Sequence, residues 1–170
     1  NKKSVALNLK EKAGRDALLR LVASADVFVQ NFRPGVIERM GLGEEQLRKV
    51  APDLVMVSIS GFGDAGPYSQ RPVYDPLIQG LSGLATVQAG ADELRPQLVR
   101  TILPDKLTGV TAAQAITAAL FARERTGESQ HVRLSMLDAI IAFLWSSDMG
   151  SQTFVHSEVP QQEAASLQDL

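Results

Sequence analysis

The most constraining feature of the chain is a repeated change of period. Three short strand-like runs, the apolar Val27-Phe28-Val29, the Val- and Ile-rich residues 54–59 and the alternating residues 131–135, are separated by stretches whose apolar residues recur every three to four positions. Strands that alternate with helices need long crossovers, and those join parallel neighbours. The predicted fold class is therefore α/β, an open parallel sheet with flanking helices. Helices are predicted over residues 10–25, 36–40, 44–50, 105–125 and 136–145, and from Asp75-Pro76 a further one carries Leu77, Ile78, Leu81 and Leu84. Val5, Leu7 and Leu9 alternate with Ala6 and Asn8, which predicts one more short strand ahead of the first helix. From residue 146 the sequence turns polar. Residues 1–150 are expected to form the domain, and residues 151–170 a linker or tail.

Charge and composition narrow the chemistry. With 17 basic and 19 acidic side chains the net charge is −2, so no broad basic surface exists for nucleic acid, while a small anionic ligand remains compatible. The chain has no cysteine and two histidines, which excludes a thiol nucleophile and leaves little for a metal centre. Its most apolar runs, residues 116–122 and 139–145, fall far short of the ~20 residues a membrane helix requires. The opening Asn1-Lys2-Lys3 leads directly into the first alternating run, so the sequence is expected to begin inside a fold. A cytoplasmic location without metal or membrane partner is the corresponding expectation.

Four places carry candidate chemistry. Asn31-Phe32-Arg33-Pro34-Gly35 follows a predicted parallel strand and precedes a helix, where open α/β sheets bind ligands; the alternative is a tight turn with Phe32 in the core. The loop 61–66 is glycine-rich but has the spacing of neither a dinucleotide fingerprint nor a P-loop, and reads as an ordinary strand-to-helix connection. Asp105 follows Pro104 at a predicted helix start, where a carboxylate serves as an N-cap or, held ionised by the helix dipole, as a nucleophile. Tyr74-Asp75 offers a phenol and a second acid before another helix, with Asp75 as its cap. His131 is expected to be solvent-facing or structurally bonded, and Arg123 and Arg125 to serve their helix C-terminus.

These pieces, in this order, resemble the class III CoA-transferases, the family that includes L-carnitine dehydratase, formyl-CoA transferase and α-methylacyl-CoA racemase. The resemblance covers about residues 4–150. It rests on Leu7-Asn8-Leu9-Lys10, Ala25-Asp26-Val27, Gln30-Asn31-Phe32-Arg33-Pro34-Gly35 with Arg39-Met40-Gly41, Ser58-Ile59-Ser60-Gly61-Phe62-Gly63, Gly66-Pro67-Tyr68, Tyr74-Asp75, Gln79-Gly80-Leu81-Ser82-Gly83, Leu103-Pro104-Asp105, Ala118-Ala119-Leu120-Phe121-Ala122-Arg123 and Thr126-Gly127-Glu128-Ser129-Gln130.

The resemblance implies a Rossmann-like large domain, here incomplete at both ends, since full members are more than twice as long. It implies a transferase that moves CoA between an acyl-CoA and a carboxylic acid, with Asp105 forming an aspartyl anhydride and then an aspartyl-CoA thioester. Leu7, Lys10, Asn31, Phe32 and Arg39 match positions lining the CoA nucleotide and phosphate site, and Tyr74 matches a tyrosine near the thioester. CoA enters as substrate, with no permanently bound cofactor, and the full-length subunits interlock as a homodimer. In the racemase branch a histidine stands at the position of Tyr74. A phenol with an unperturbed pKa near 10 is a poor general base at neutral pH, so the transferase reading gains over racemisation. Pro72 stands where some members carry a basic residue, which implies either the loss of one phosphate contact or its supply by Arg71. A non-catalytic CoA-binding fragment is the third reading.

Overall fold

The computed structural model describes residues 2–90, 94–145 and 147–149. The polar stretch 151–170, expected as a linker, lies outside the described residues. Three parallel strands, β1 (Val27–Gln30), β2 (Val55–Ser60) and β3 (His131–Ser135), pair in the order β1-β2-β3, with Val29 opposite Val57 and Ser58 opposite Arg133. Helix α1 (Lys12–Val22) precedes them. Between β1 and β2 run α2 (Val36–Arg39) and α3 (Glu44–Val50); between β2 and β3 run α4 (Asp75–Leu81), α5 (Leu84–Ala89) and α6 (Leu103–Thr126); α7 (Met136–Trp145) follows β3.

Strand alternation divides the core between two faces. Met56 packs with Val22, Ile37, Leu42 and Leu47 under α1, α2 and α3, while Val55 and Val57 meet Ala119 of α6 on the other side. A third cluster, Ile78, Leu84, Ile140 and Leu144, joins α4 and α5 to α7. Fully burying a side chain such as Leu42 or Leu47 contributes about 1.5–3 kcal/mol, which fixes α3 and the residues just before it in this cluster. In α6 the buried residues Thr108, Ala112 and Ala119 are small, so the helix lies close to its neighbours.

Three expectations are corrected. Residues 5–9 form no strand: among the described residues no strand pairs with them, and Val5 is exposed. Only Leu9 of that run packs against the core. The chain instead turns at Asn8, whose Oδ1 accepts from the Lys10 N–H and whose carbonyl accepts from the Glu11 N–H, so α1 starts at Lys12. The helix from Asp75 also stops early, because Gly83 adopts a left-handed φ of 84° and separates α4 from α5 before Leu84. Arg123 does not cap its own helix. Its Nη1 donates to the Asp53 carbonyl at 2.9 Å and its Nη2 to Asp26 Oδ1 at 2.8 Å, tying α6 to the chain that enters β1 and β2.

Candidate active site

The carboxyl ends of the strands open onto one cavity of about 450 Å³. Asn31 to Pro34 reach it from β1, Ile59 to Gly61, Ser69 and Arg71 to Asp75 from β2, Met136 from β3, and Asp105, Thr108 and Gly109 from the head of α6. This is where an open α/β sheet places a ligand. Gly61 keeps the wall narrow: a Cβ there would stand 2.0 Å from Val73 Cγ1, so the bare glycine backbone lets Val73 close in beside Tyr74.

Asp105 lines the cavity as the third residue of α6, not as its cap. Its backbone N–H is one of the helix's unpaired donors, and Asp75 supplies the acceptor, Oδ2 at 3.1 Å. Asp75 is buried at the first position of α4 and its Oδ1 accepts from Gln79 Nε2 at 2.6 Å. Gln79, also buried, donates to the Thr101 carbonyl and accepts the Val99 N–H at 2.8 Å. A buried polar network thus holds the entry to α6 against α4, and Asp75 caps a neighbouring helix instead of its own. Sequence reasoning missed this because the acceptor lies thirty residues from the donor. The Asp105 carboxylate itself takes no hydrogen bond among the described residues. Partial burial and the nearby Asp75 charge raise its pKa above the ordinary carboxylate value.

Of the other site residues expected from sequence, Asn31, Phe32 and Tyr74 line the same cavity. Tyr74 is 80% exposed at its mouth, so its phenol is available to a ligand instead of being packed in the core. Leu7, Lys10 and Arg39 do not line it. Leu7 is half-buried and Lys10 exposed on the segment before α1; Arg39 is exposed, with Nη1 3.0 Å from where a Cβ on Gly35 would stand, beside the 31–34 loop. Two guanidinium groups bring positive charge to the cavity. Arg33 and Arg71 line it, and neither forms an ion pair among the described residues. Arg71 lies 4.4 Å over the Tyr68 ring, which stands edge-on to Phe62, so its side chain is steered by aromatic packing. A carboxylate at the cavity wall, with cationic and aromatic neighbours, suits an anionic ligand that carries an electrophilic carbon.

Sequence comparison decides the family. A model described as CoA-transferase family III matches residues 1–168. The chain belongs to that family. It is 42% identical over 143 residues to the acetyl-CoA:oxalate CoA-transferase of Acetobacter aceti, covering 84% of this chain and 37% of that protein. It is 39% identical to the succinyl-CoA:glutarate CoA-transferase of Mus musculus, over 85% of this chain and 33% of the relative. A crystal structure of a CAIB/BAIF family protein from Brucella suis superimposes with a TM-score of 0.83 at 36% identity, over 89% of this chain and 40% of the other. This family III chain therefore spans between a third and two-fifths of the length of these relatives. The parallel open sheet expected from sequence is the fold they share.

Proposed function

We propose that the protein is an acyl-CoA:carboxylate CoA-transferase in which Asp105 is the covalent nucleophile. The observation that carries this reading is the placement of Asp105: its backbone is anchored by Asp75 while its carboxylate, with a raised pKa, faces the cavity without a partner. A carboxylate held this way is a stronger nucleophile than one neutralised by an ion pair. The Asp105 oxygen adds to the thioester carbonyl, the C–S bond breaks, and CoA leaves as thiolate from an aspartyl mixed anhydride. The thiolate attacks the aspartyl carbonyl, expels the donor acid as carboxylate and leaves an aspartyl-CoA thioester. An incoming carboxylate displaces the thiolate to form a second anhydride. Attack of the thiolate on the new acyl carbon then releases acyl-CoA and restores Asp105.

No oxidant, metal or net proton enters this sequence. In the proposed pose the 31–34 loop receives the nucleotide, with Phe32 available for stacking, and Arg33 and Arg71 meet phosphate or carboxylate groups. Residues 1–150 act as part of the CoA-binding domain, with 151–170 as linker or tail and a homodimer of the full-length gene product as the assembly. Leu7, Lys10 and Arg39 belong to the periphery of the nucleotide site in this reading.

The test is chemical. The full-length gene product is incubated with acyl-CoA, quenched with hydroxylamine, and mapped by mass spectrometry; a hydroxamate at Asp105 is expected. Label at another carboxylate, or full turnover in Asp105→Ala, refutes the proposal. Solvent deuterium entering the α-carbon without an acceptor acid indicates racemisation instead, a reaction that Tyr74 serves poorly as a base.

A further inference from the structure

A line of hydrogen bonds crosses the sheet on the face opposite α6. The Phe32 N–H donates to Gln30 Oε1 at 2.8 Å, and Gln30 Nε2 donates to Ser58 Oγ at 2.8 Å. Ser58 Oγ lies 2.8 Å from His131 Nε2, and His131 Nδ1 lies 2.7 Å from Glu44 Oε2. Gln30, Ser58 and His131 come from β1, β2 and β3, and parallel register explains their meeting: Gln30 pairs with Ser58, and His131 pairs with Met56, two residues away on the same face. Glu44 closes the line from α3, where Arg48 Nε holds its other oxygen at 2.9 Å and Arg133 approaches at 3.5 Å.

One protonation pattern satisfies every member. Burial opposes ionisation of Glu44, yet the hydrogen bonds from His131 and Arg48 outweigh it and lower its pKa, so the carboxylate is an acceptor at neutral pH. It therefore takes the Nδ1–H of His131. Nε2 is then the acceptor for the Ser58 hydroxyl, whose oxygen accepts from Gln30, whose oxygen in turn accepts the Phe32 N–H. All bonds run in one direction, from a loop amide to a carboxylate, and such chains reinforce one another. The order serine, histidine, glutamate also occurs in hydrolases, but Ser58 lines neither the active-site cavity nor the hollow beside Arg123, and its oxygen already accepts from Gln30.

We infer that His131 is a positioning residue for acyl-CoA binding, acting through Ser58 and Gln30 to fix the Phe32 backbone at the cavity. Breaking the line releases the amide that sets the loop's exit from β1. This rests on the proposed role of the 31–34 loop, and the experiment separates the two. In the full-length gene product, His131→Leu and Ser58→Ala are expected to raise the KM for acyl-CoA about three- to tenfold, the range for one lost hydrogen bond, with kcat within about twofold. The double variant is expected to be no worse than the worse single one, because both cut one line. His131→Gln, which returns an amide oxygen towards Ser58, restores most of the loss. The same shifts are expected in the Kd for CoA by calorimetry. Phe32→Ala serves as the reference. If it weakens CoA binding while Ser58→Ala and His131→Leu do not, or if those two lower kcat at unchanged KM, the positioning role is overturned. If Phe32→Ala itself leaves binding unchanged, the nucleotide-loop reading fails and this inference with it.

Discussion

At the scale of single residues, two acids at the head of α6 are set to different tasks by their surroundings. Asp75 is buried and fully committed, one oxygen to Gln79 and the other to the Asp105 N–H. Removing it in Asp75→Ala strands the Asp105 N–H and leaves Gln79 Nε2 only its backbone carbonyl partners, a loss expected to be about 1–3 kcal/mol of unfolding free energy in urea titrations. Asp75→Asn keeps an acceptor but removes the charge that adds to burial in raising the Asp105 pKa, so the acid limb of kcat/KM should move to lower pH. An unmoved limb would separate the two carboxylates functionally. The sign of the stability effect at Asp105 follows from linkage. Its folded pKa lies above the unfolded one, so stability is full below the unfolded value, about 3.9, and falls as pH rises through the folded value. Asp105→Asn should therefore raise Tm at neutral pH, and the gain should vanish below about pH 4. Because the side chain is largely exposed, solvent screening limits the rise to about 2 °C or less.

At the scale of elements, the site depends on how closely the β2 exit and the segment before α4 approach each other. Gly61→Ala places a methyl group inside Val73 and must displace it together with Tyr74. The expected result is a loss of about 1–3 kcal/mol in thermal or chemical unfolding, accompanied by weaker CoA binding; wild-type stability in this variant would show that the 61–73 loop yields freely. The three strands, α3 with its acidic first turn and basic last turn, and the Gly127 stop of α6 were all legible in the sequence, because each is set by local pattern and chemistry. The 5–9 run was not: its alternation fits a strand, but a ladder needs a neighbour, and the Asn8 turn wins where the described residues offer none. Asp105 could be singled out locally from Pro104 and the helix start. Its anchor could not, since Asp75, Gln79 and the 99–101 segment meet only through tertiary packing. His131 was legible as structurally bonded, yet its partners Ser58 and Glu44 come from two other elements.

At the scale of the whole molecule, the lengths of helix and sheet do not match. The longest strand among the described residues has six residues and spans roughly 20 Å, whereas the 24 residues of α6 span roughly 36 Å. The sheet cannot cover such a helix along its whole length. Val110 is 67% exposed and Phe121 65%, and eleven residues apart they return to nearly the same side of α6. Phe143 and Trp145 are likewise exposed on α7. Apolar surface left in water favours association by about 25 cal/mol for each Å² covered. The 170-residue chain on its own should therefore bind a hydrophobic dye and sediment as concentration-dependent oligomers. Val110→Lys combined with Phe121→Glu should shift the sedimenting species towards monomer at the same protein concentration, with far-ultraviolet circular dichroism unchanged. A monomeric, dye-silent wild-type chain would show that these side chains are solvated singly and not as a sticky face. Association that survives the double variant would move the contact to α7, which Trp145→Ser would test in the same experiment.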